Sequence, residues 1–235
     1  MGMKSIGAGF YNEGMKVLVR SKYKILWIII MGICLIGSFI LRAPYSFLNI
    51  MTSIICPLIS FMLVTDFFTA EQEEGSIRAI LIRPVSHFEI FVSKLLVILA
   101  YMGTLLIGTL VIGNIVQLIK GSFSFELCID LIIAHGVSIL ALLPIVLMTI
   151  LISQLTRNSS STFLFSILSY IGIGVIGNLV PGLYSYLFTS YTNWYKLFIG
   201  ATVPFSNLLM VTGLIGAYSI LLFSTGYMLF ERRGY

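Results

Sequence analysis

Charge is what this sequence has least of. Of 235 residues, 10% are charged and 58% are hydrophobic, with a mean hydropathy of +1.04. An ordinary soluble domain carries about 25% charged residues, so this chain cannot cover a water-facing surface and no soluble domain is attached. A phosphate-cradling G-x-x-x-x-G-K-[ST] loop is also missing, so any nucleotide machinery must sit on another polypeptide. Cys34, Cys56 and Cys128 stand far apart in or beside apolar segments and lack the paired spacing of a metal or redox site. They read as small apolar side chains. No A-x-A cleavage site follows the first apolar run, which is therefore expected to stay as a span.

What the chain has instead is six apolar runs: about Ile25 to Leu41, Phe47 to Thr65, Leu95 to Ile119, Leu127 to Ile152, Thr162 to Val180 and Leu208 to Phe230. Each approaches or exceeds the roughly 20 residues that cross a hydrocarbon core of about 30 Å. Continuous runs of this length exclude barrel strands, so the expected fold is an all-α membrane bundle, one domain over 1–235. The spans hold no central carboxylate or lysine of the kind a proton relay needs, which weighs against a proton- or sodium-driven carrier. Orientation follows from Lys and Arg, which favour the cytoplasmic side. With the N-terminus inside, the cytoplasmic set is Lys4, Lys16, Arg20, Lys22, Lys24, Arg78, Arg83, Lys94, Arg157, Arg232 and Arg233, leaving only Arg42, Lys120 and Lys196 outside. Both termini are expected in the cytoplasm, and the location is the plasma membrane.

Three stretches outside the runs have character. In the N-terminal residues 1–24, Asn12, Lys16 and Arg20 recur every four positions while Phe10, Gly14, Val17 and Leu18 fall on other faces, which predicts a helix lying in the membrane interface rather than a basic tail. Residues 181–205 are rich in Tyr and Trp and bracketed by prolines, which predicts short half-inserted helices at headgroup depth. The third stretch, 66–94, is the charged island. There the second span runs out at Asp66, and Glu71, Glu73 and Glu74 follow, with a Glu74 to Arg78 pair at i, i+4 weakened by Gly75. Ile77, Ile80 and Leu81 predict a short amphipathic helix that must stop before Pro84. Ser86 with Glu89 forms a capping box and Val85 with Ile90 a hydrophobic staple, so a new helix starts at about His87. If that helix runs to Ile119, its first turns, up to Lys94, stand outside the bilayer core. Structured protrusions with exposed apolar residues are expected to meet a partner.

The order E-G-S, I-L-I-R-P-V-S, E-I and K-L-L over Glu74 to Leu96 resembles the cytoplasmic loop of ABC-2 type transporter permeases. The layout agrees along the whole chain: an interfacial helix, six spans, a Pro- and aromatic-rich outer segment and a basic end, ERRGY. The resemblance implies a permease subunit of an ATP-binding cassette exporter whose coupling helix docks on a separate ATPase subunit. Glu74, Gly75, Ser76, Arg78, Arg83, Pro84, Ser86 and His87 would lie at or beside that contact. It further implies a second permease copy or homologue, no cofactor bound by this chain (ATP and Mg²⁺ belong to the partner), no catalysis by the chain alone and no nucleic-acid partner. Small permeases of this kind are similar to those of bacitracin and other peptide-antibiotic export.

The alternative is a cassette-independent membrane protein, either a secondary carrier or a CAAX-type protease. Glu73, Glu74 and Arg78 fit the first protease motif, but Arg83 and Leu131 stand four before His87 and His135, and Phe91 and Ile139 four after, so the later motifs fail. Pro57 and Pro144 could each break a helix, as in carriers. Gly172, Gly174 and Gly177 spell a dinucleotide fingerprint inside a span, where close helix packing explains them better. Asn158-Ser159-Ser160 is a sequon that cytoplasmic placement would leave unmodified. Asn49, Thr52, Asn114, Gln117, His135 and Asn178 are polar groups in or near spans and are candidates for a translocation path.

Overall fold

The computed structural model describes residues 2–41, 46–75, 86–198 and 205–233. Among them there is no strand. The helices are α1 (Gly2–Val19), α2 (Ser21–Ile40), α3 (Ser46–Glu73), α4 (His87–Ile119), α5 (Phe125–Leu155), α6 (Ser159–Leu179) and α7 (Phe205–Arg232). Six of them, α2 to α7, are long and apolar enough to cross a membrane. The helices α3 and α5 carry the most buried surface and form the middle of the bundle, while α2, α6 and α7 turn most of their apolar surface outward. That is the pattern for helices whose outer faces meet lipid rather than water.

Helix starts follow local chemistry. At α4, the Ser86 hydroxyl accepts from Glu89 N at 3.2 Å while Glu89 Oε2 accepts from Ser86 N at 3.1 Å, which is the expected capping box. Ser124 caps α5 and Asn158 caps α6, where its Oδ1 accepts from Ser161 N at 3.0 Å. The sequon asparagine is thus the first residue of a helix cap. Neither proline interrupts its helix. Pro144 lies inside a continuous α5, and Pro57 directly follows a π-helical turn, Met51–Ile55. A proline at 57 leaves the carbonyl of Ser53 without its helical donor, and the Tyr170 hydroxyl of α6 supplies one at 2.9 Å.

The helix of the second span runs on past Asp66. It continues through a second π-helical turn, Thr65–Ala70, to Glu73, and stops where Gly75 takes the left-handed conformation with φ 70°. The extension holds because its charges are paired. Asp66 accepts from Lys22 Nζ at 2.6 Å and from the Tyr23 hydroxyl at 2.9 Å, both on α2. Residues 181–198 are the aromatic stretch. They are short helical pieces as expected, but 3₁₀ in kind: Tyr184–Tyr186, Phe188–Tyr191 and Trp194–Phe198. Trp194 is buried, with its indole N–H on Val137 O at 3.2 Å, and the turns plug the end of α5, α6 and α7. Of the three glycines in α6, only Gly177 makes a close approach, to Leu187 in these turns. A Cβ at Gly172 or Gly174 would meet nothing within 4 Å, so the close-packing reading fails at those two.

Candidate functional site

The end of the bundle that carries α1, the start of α4 and the end of α7 is where the charges gather. Lys94, on the second turn of α4, is fully buried. It is not the solvent-facing lysine that its place before an apolar run suggests. Its Nζ donates to Glu71 Oε2 at 2.6 Å and to Phe67 O at 2.7 Å, lies 3.8 Å from Glu13 Oε2, and sits over the Phe67 and Phe68 rings at 5.6 and 5.8 Å. Lys16 of α1 closes the cluster, 2.8 Å from Glu71 Oε1 and 2.9 Å from Glu13 Oε1. Two carboxylates and two ammonium groups therefore balance, as buried charge requires. Burial would lower the pKa of Lys16, but the hydrogen bonds to Glu71 and Glu13 outweigh it and hold the ammonium form above the ordinary lysine range.

This arrangement explains the face that α1 presents. Its polar side, Glu13 and Lys16, points inward to the cluster, whereas Tyr11, Leu18 and Val19 are exposed. Gly9 permits the contact, because a Cβ there would collide with the Ser93 hydroxyl of α4. Ser5 donates to Glu89 of the capping box, which pins α1 to the start of α4.

The three residues that end α3 reach three directions. Glu71 joins α1 and α4 as above. Gln72 Nε2 donates to Gln154 Oε1 on α5 at 3.2 Å, and Gln72 Oε1 accepts from Arg233 at 2.5 Å. Arg233 also donates to the carbonyls of Ser153 (3.1 Å) and Thr156, placing a cation on the open C-terminus of α5. Glu73 Oε2 accepts from both Ser159 Oγ at 2.7 Å and Ser159 N at 3.1 Å at the start of α6. One turn earlier Thr69 and Thr162 meet at 2.9 Å. Aromatic packing adds the last helix: Phe91 of α4 has ring centroids of Phe223, Phe230, Tyr227 and Phe68 at 5.3, 5.6, 5.7 and 5.7 Å. Through these ties the segment Asp66–Glu73 touches every other helix directly, α7 through the Phe68 and Phe230 rings at 6.0 Å and, just past its end, through Arg233.

Gly75 and Ser86, the described residues on either side of 76–85, stand at this hub. Residues 16–227 match the model of the ABC-2 family transporter proteins. The chain belongs to that family. No curated protein matches it. An ABC-2 family member is the membrane permease of an ABC transporter, a multi-pass component that works with an ABC ATPase. This removes the secondary carrier and the intramembrane protease.

Of the coupling residues expected in this permease, Glu74 and Gly75 are exposed at the end of α3, Ser86 is the exposed cap of α4, and His87 packs edge-on to Phe230 at 6.4 Å. Ser76, Arg78, Arg83 and Pro84 lie outside the described residues, as do the amphipathic helix and the elbow. Both sides of the loop are thus set at one end of the bundle, on the two helices that the cluster locks together.

The polar residues of the spans do not converge. Thr52 bonds Leu48 O at 3.0 Å, Asn49 O at 3.3 Å and Asn193 Oδ1 at 3.0 Å, and Asn193 Nδ2 donates to Ser53 at 3.0 Å, which ties the first π-helical turn to the aromatic turns. Asn114 and Asn178 donate to carbonyls of their own helices, Gln117 accepts from Ser122, and His135 lies on Leu131 O at 2.7 Å. Beside His135 is a cavity of about 10 Å³, room for one water. The buried Oδ1 atoms of Asn49 and Asn114 have no hydrogen-bond partner.

Sequence reading missed Glu13, Lys16, Glu71, Lys94 and Arg233 as a unit. A usable signal was Lys94 itself, a cation followed directly by an apolar run, which implies a carboxylate nearby.

Proposed function

We propose that this permease is the membrane half of an exporter, and that the loop from Glu74 to His87 is where a separate ATP-binding subunit pushes. The observation that carries the reading is the hub at the root of that loop. Asp66, Glu71, Gln72, Glu73 and Phe68 on one side, and Phe91 and Lys94 on the other, are bonded or packed to all the other helices. A displacement applied at the loop is therefore passed to the bundle as a rigid-body movement, not absorbed by a pliant linker. Two copies, each with a cassette, would enclose the path, because within one chain the polar span residues do not form one. Both termini and the loop face the cytoplasm, the membrane is the plasma membrane, and ATP and Mg²⁺ sit on the partner. Peptide antibiotics and related amphiphiles are the proposed cargo, on the likeness of the short six-span layout to such permeases.

The test is co-purification of the tagged permease with its cassette, followed by ATP hydrolysis and transport in vesicles. Arg83→Glu should lower recovery of the cassette several-fold or leave hydrolysis running without transport. Unchanged recovery together with unchanged transport overturns the coupling assignment.

A further inference from the structure

A second feature lies away from the hub. It is an apolar groove of about 630 Å³ between α1, α2 and α4, a volume within the roughly 300–1,000 Å³ of sites for small ligands. Phe10, Tyr11 and Gly14 form the α1 wall, and Val97 and Thr104 mark its extent along α4. Seven residues at 1.5 Å rise give about 10 Å, which is about two thirds of one leaflet's share of a hydrocarbon core about 30 Å thick. The hydroxyls on its α2 and α4 walls are already used: Tyr23 donates to Asp66, Tyr101 to Tyr23 O, and Thr104 to Tyr101 O, while Tyr11 on the α1 wall is exposed. Nothing inside asks for a polar ligand.

The rim does. Lys24 is the one charged residue of the lining, and Arg20 stands four residues before it, where α1 gives way to α2. Both are exposed, and neither is in an ion pair among the described residues, whereas the neighbouring Lys22 is held by Asp66. No carboxylate lines the groove. A hydrocarbon slot about two thirds of a leaflet deep, opening under two exposed cations that have no carboxylate partner among the described residues, has the shape and charge of a phospholipid with an anionic headgroup. We infer that the groove holds one anionic phospholipid from the leaflet at the charged end, its acyl chain between α1 and α4 and its phosphate at Arg20 and Lys24. Basic sites at the ends of membrane helices bind anionic headgroups by this charge pairing. Bound there, the lipid would set how α1 seats against α2 and α4.

Trp27 lines the groove and reports on it, and the only other tryptophan, Trp194, is buried in the aromatic turns. The full chain is reconstituted in phosphatidylcholine vesicles with increasing mole fractions of brominated phosphatidylglycerol, or of brominated phosphatidylcholine as the neutral control. The Trp27 signal is the difference from the Trp27→Phe variant. Two cations at the headgroup predict that phosphatidylglycerol quenches at about five- to twentyfold lower mole fraction than phosphatidylcholine. Arg20→Gln with Lys24→Gln should abolish that preference. Gly14→Leu should reduce quenching by both lipids, since a side chain there enters the groove and a Cβ meets no atom within 4 Å. Equal quenching by the two lipids in the unaltered chain overturns the proposal, and so does quenching by neither, which would mean a second polypeptide covers the groove.

Discussion

Removing one charge from the buried cluster should cost more than removing two. Lys94 is fully buried, and Glu71 is its nearest carboxylate at 2.6 Å. In Glu71→Gln the ammonium keeps Phe67 O but faces its next carboxylate, Glu13, at 3.8 Å. Breaking a buried pair from one side costs about 3–5 kcal/mol, because the surviving charge stays desolvated. For a chain of 150–250 residues each kcal/mol moves Tm by about 2–4 °C, so Glu71→Gln should lower Tm by about 6–20 °C. Lys94→Met should fall at the low end, since Glu71 retains Lys16 at 2.8 Å. The double variant, Glu71→Leu with Lys94→Met, leaves Lys16 and Glu13 paired at 2.9 Å and the interior apolar. It should be more stable than Glu71→Gln by at least about 2 kcal/mol, since well-packed apolar replacements of buried pairs are often neutral. Scanning fluorimetry of the purified chain in detergent reads all three. If the double variant melts lower than both single ones, the pair is held by attraction exceeding its desolvation, and the reasoning fails. If none shifts Tm by more than about 1 °C, the cluster does not hold α1, α3 and α4 together.

Phe91→Ala removes the ring shared by four neighbours and should cost about 3–5 kcal/mol by the same assay, with Phe91→Leu far milder. Gly75→Ala places a Cβ at φ 70° and should destabilise by about 1–2 kcal/mol, read by the same melt. Ser86→Ala should cost about 1 kcal/mol, seen as faster amide hydrogen exchange over the first turn of α4. The raised pKa of Lys16 means that its stabilisation is fully present below the ordinary lysine value of 10.5 and is lost only as pH rises through the higher folded value. The Tm difference between the wild type and Lys16→Met should accordingly stay flat from about pH 6 to pH 9 and shrink only in stronger alkali.

Local signals were read well and non-local ones were not. The start of α4 at His87 follows from Ser86 and Glu89, three residues apart, and its end at Ile119 from the length of the apolar run. Six spans follow from composition alone. How the helix carries charge past Asp66 was not legible, because the partners of Asp66 and Glu71 lie 44 and 55 residues earlier in the chain, or 23 later. The same distance hid Arg233, whose bond to Gln72 crosses 161 residues. Gly172 misled in the opposite way: close packing was expected there, but the residue faces open space.

Why the few charges sit where they do follows from the solvent. Between helices in lipid there is no hydrophobic driving force, because acyl chains are as apolar as leucine, so specific contacts must come from close packing and polar bonds. At mid-membrane such bonds are costly to satisfy, but near the ends of the spans water and headgroups reduce the penalty. Five of the nine acidic residues, Glu13, Asp66, Glu71, Glu73 and Glu89, reach a residue of a different helix at this one end. A solvated face would leave them unpaired and interchangeable. Fixed to named partners on α1, α2, α4 and α6, they define one arrangement of helix ends around the loop, which a partner pushing there requires. The opposite end has a lighter polar inventory: Lys120 capping α2 through Ser38 O at 2.7 Å, and the Thr52, Asn193 and Ser53 link. The two ends are thus built differently, ionic and many-armed where force would enter, aromatic and capped where the path would open.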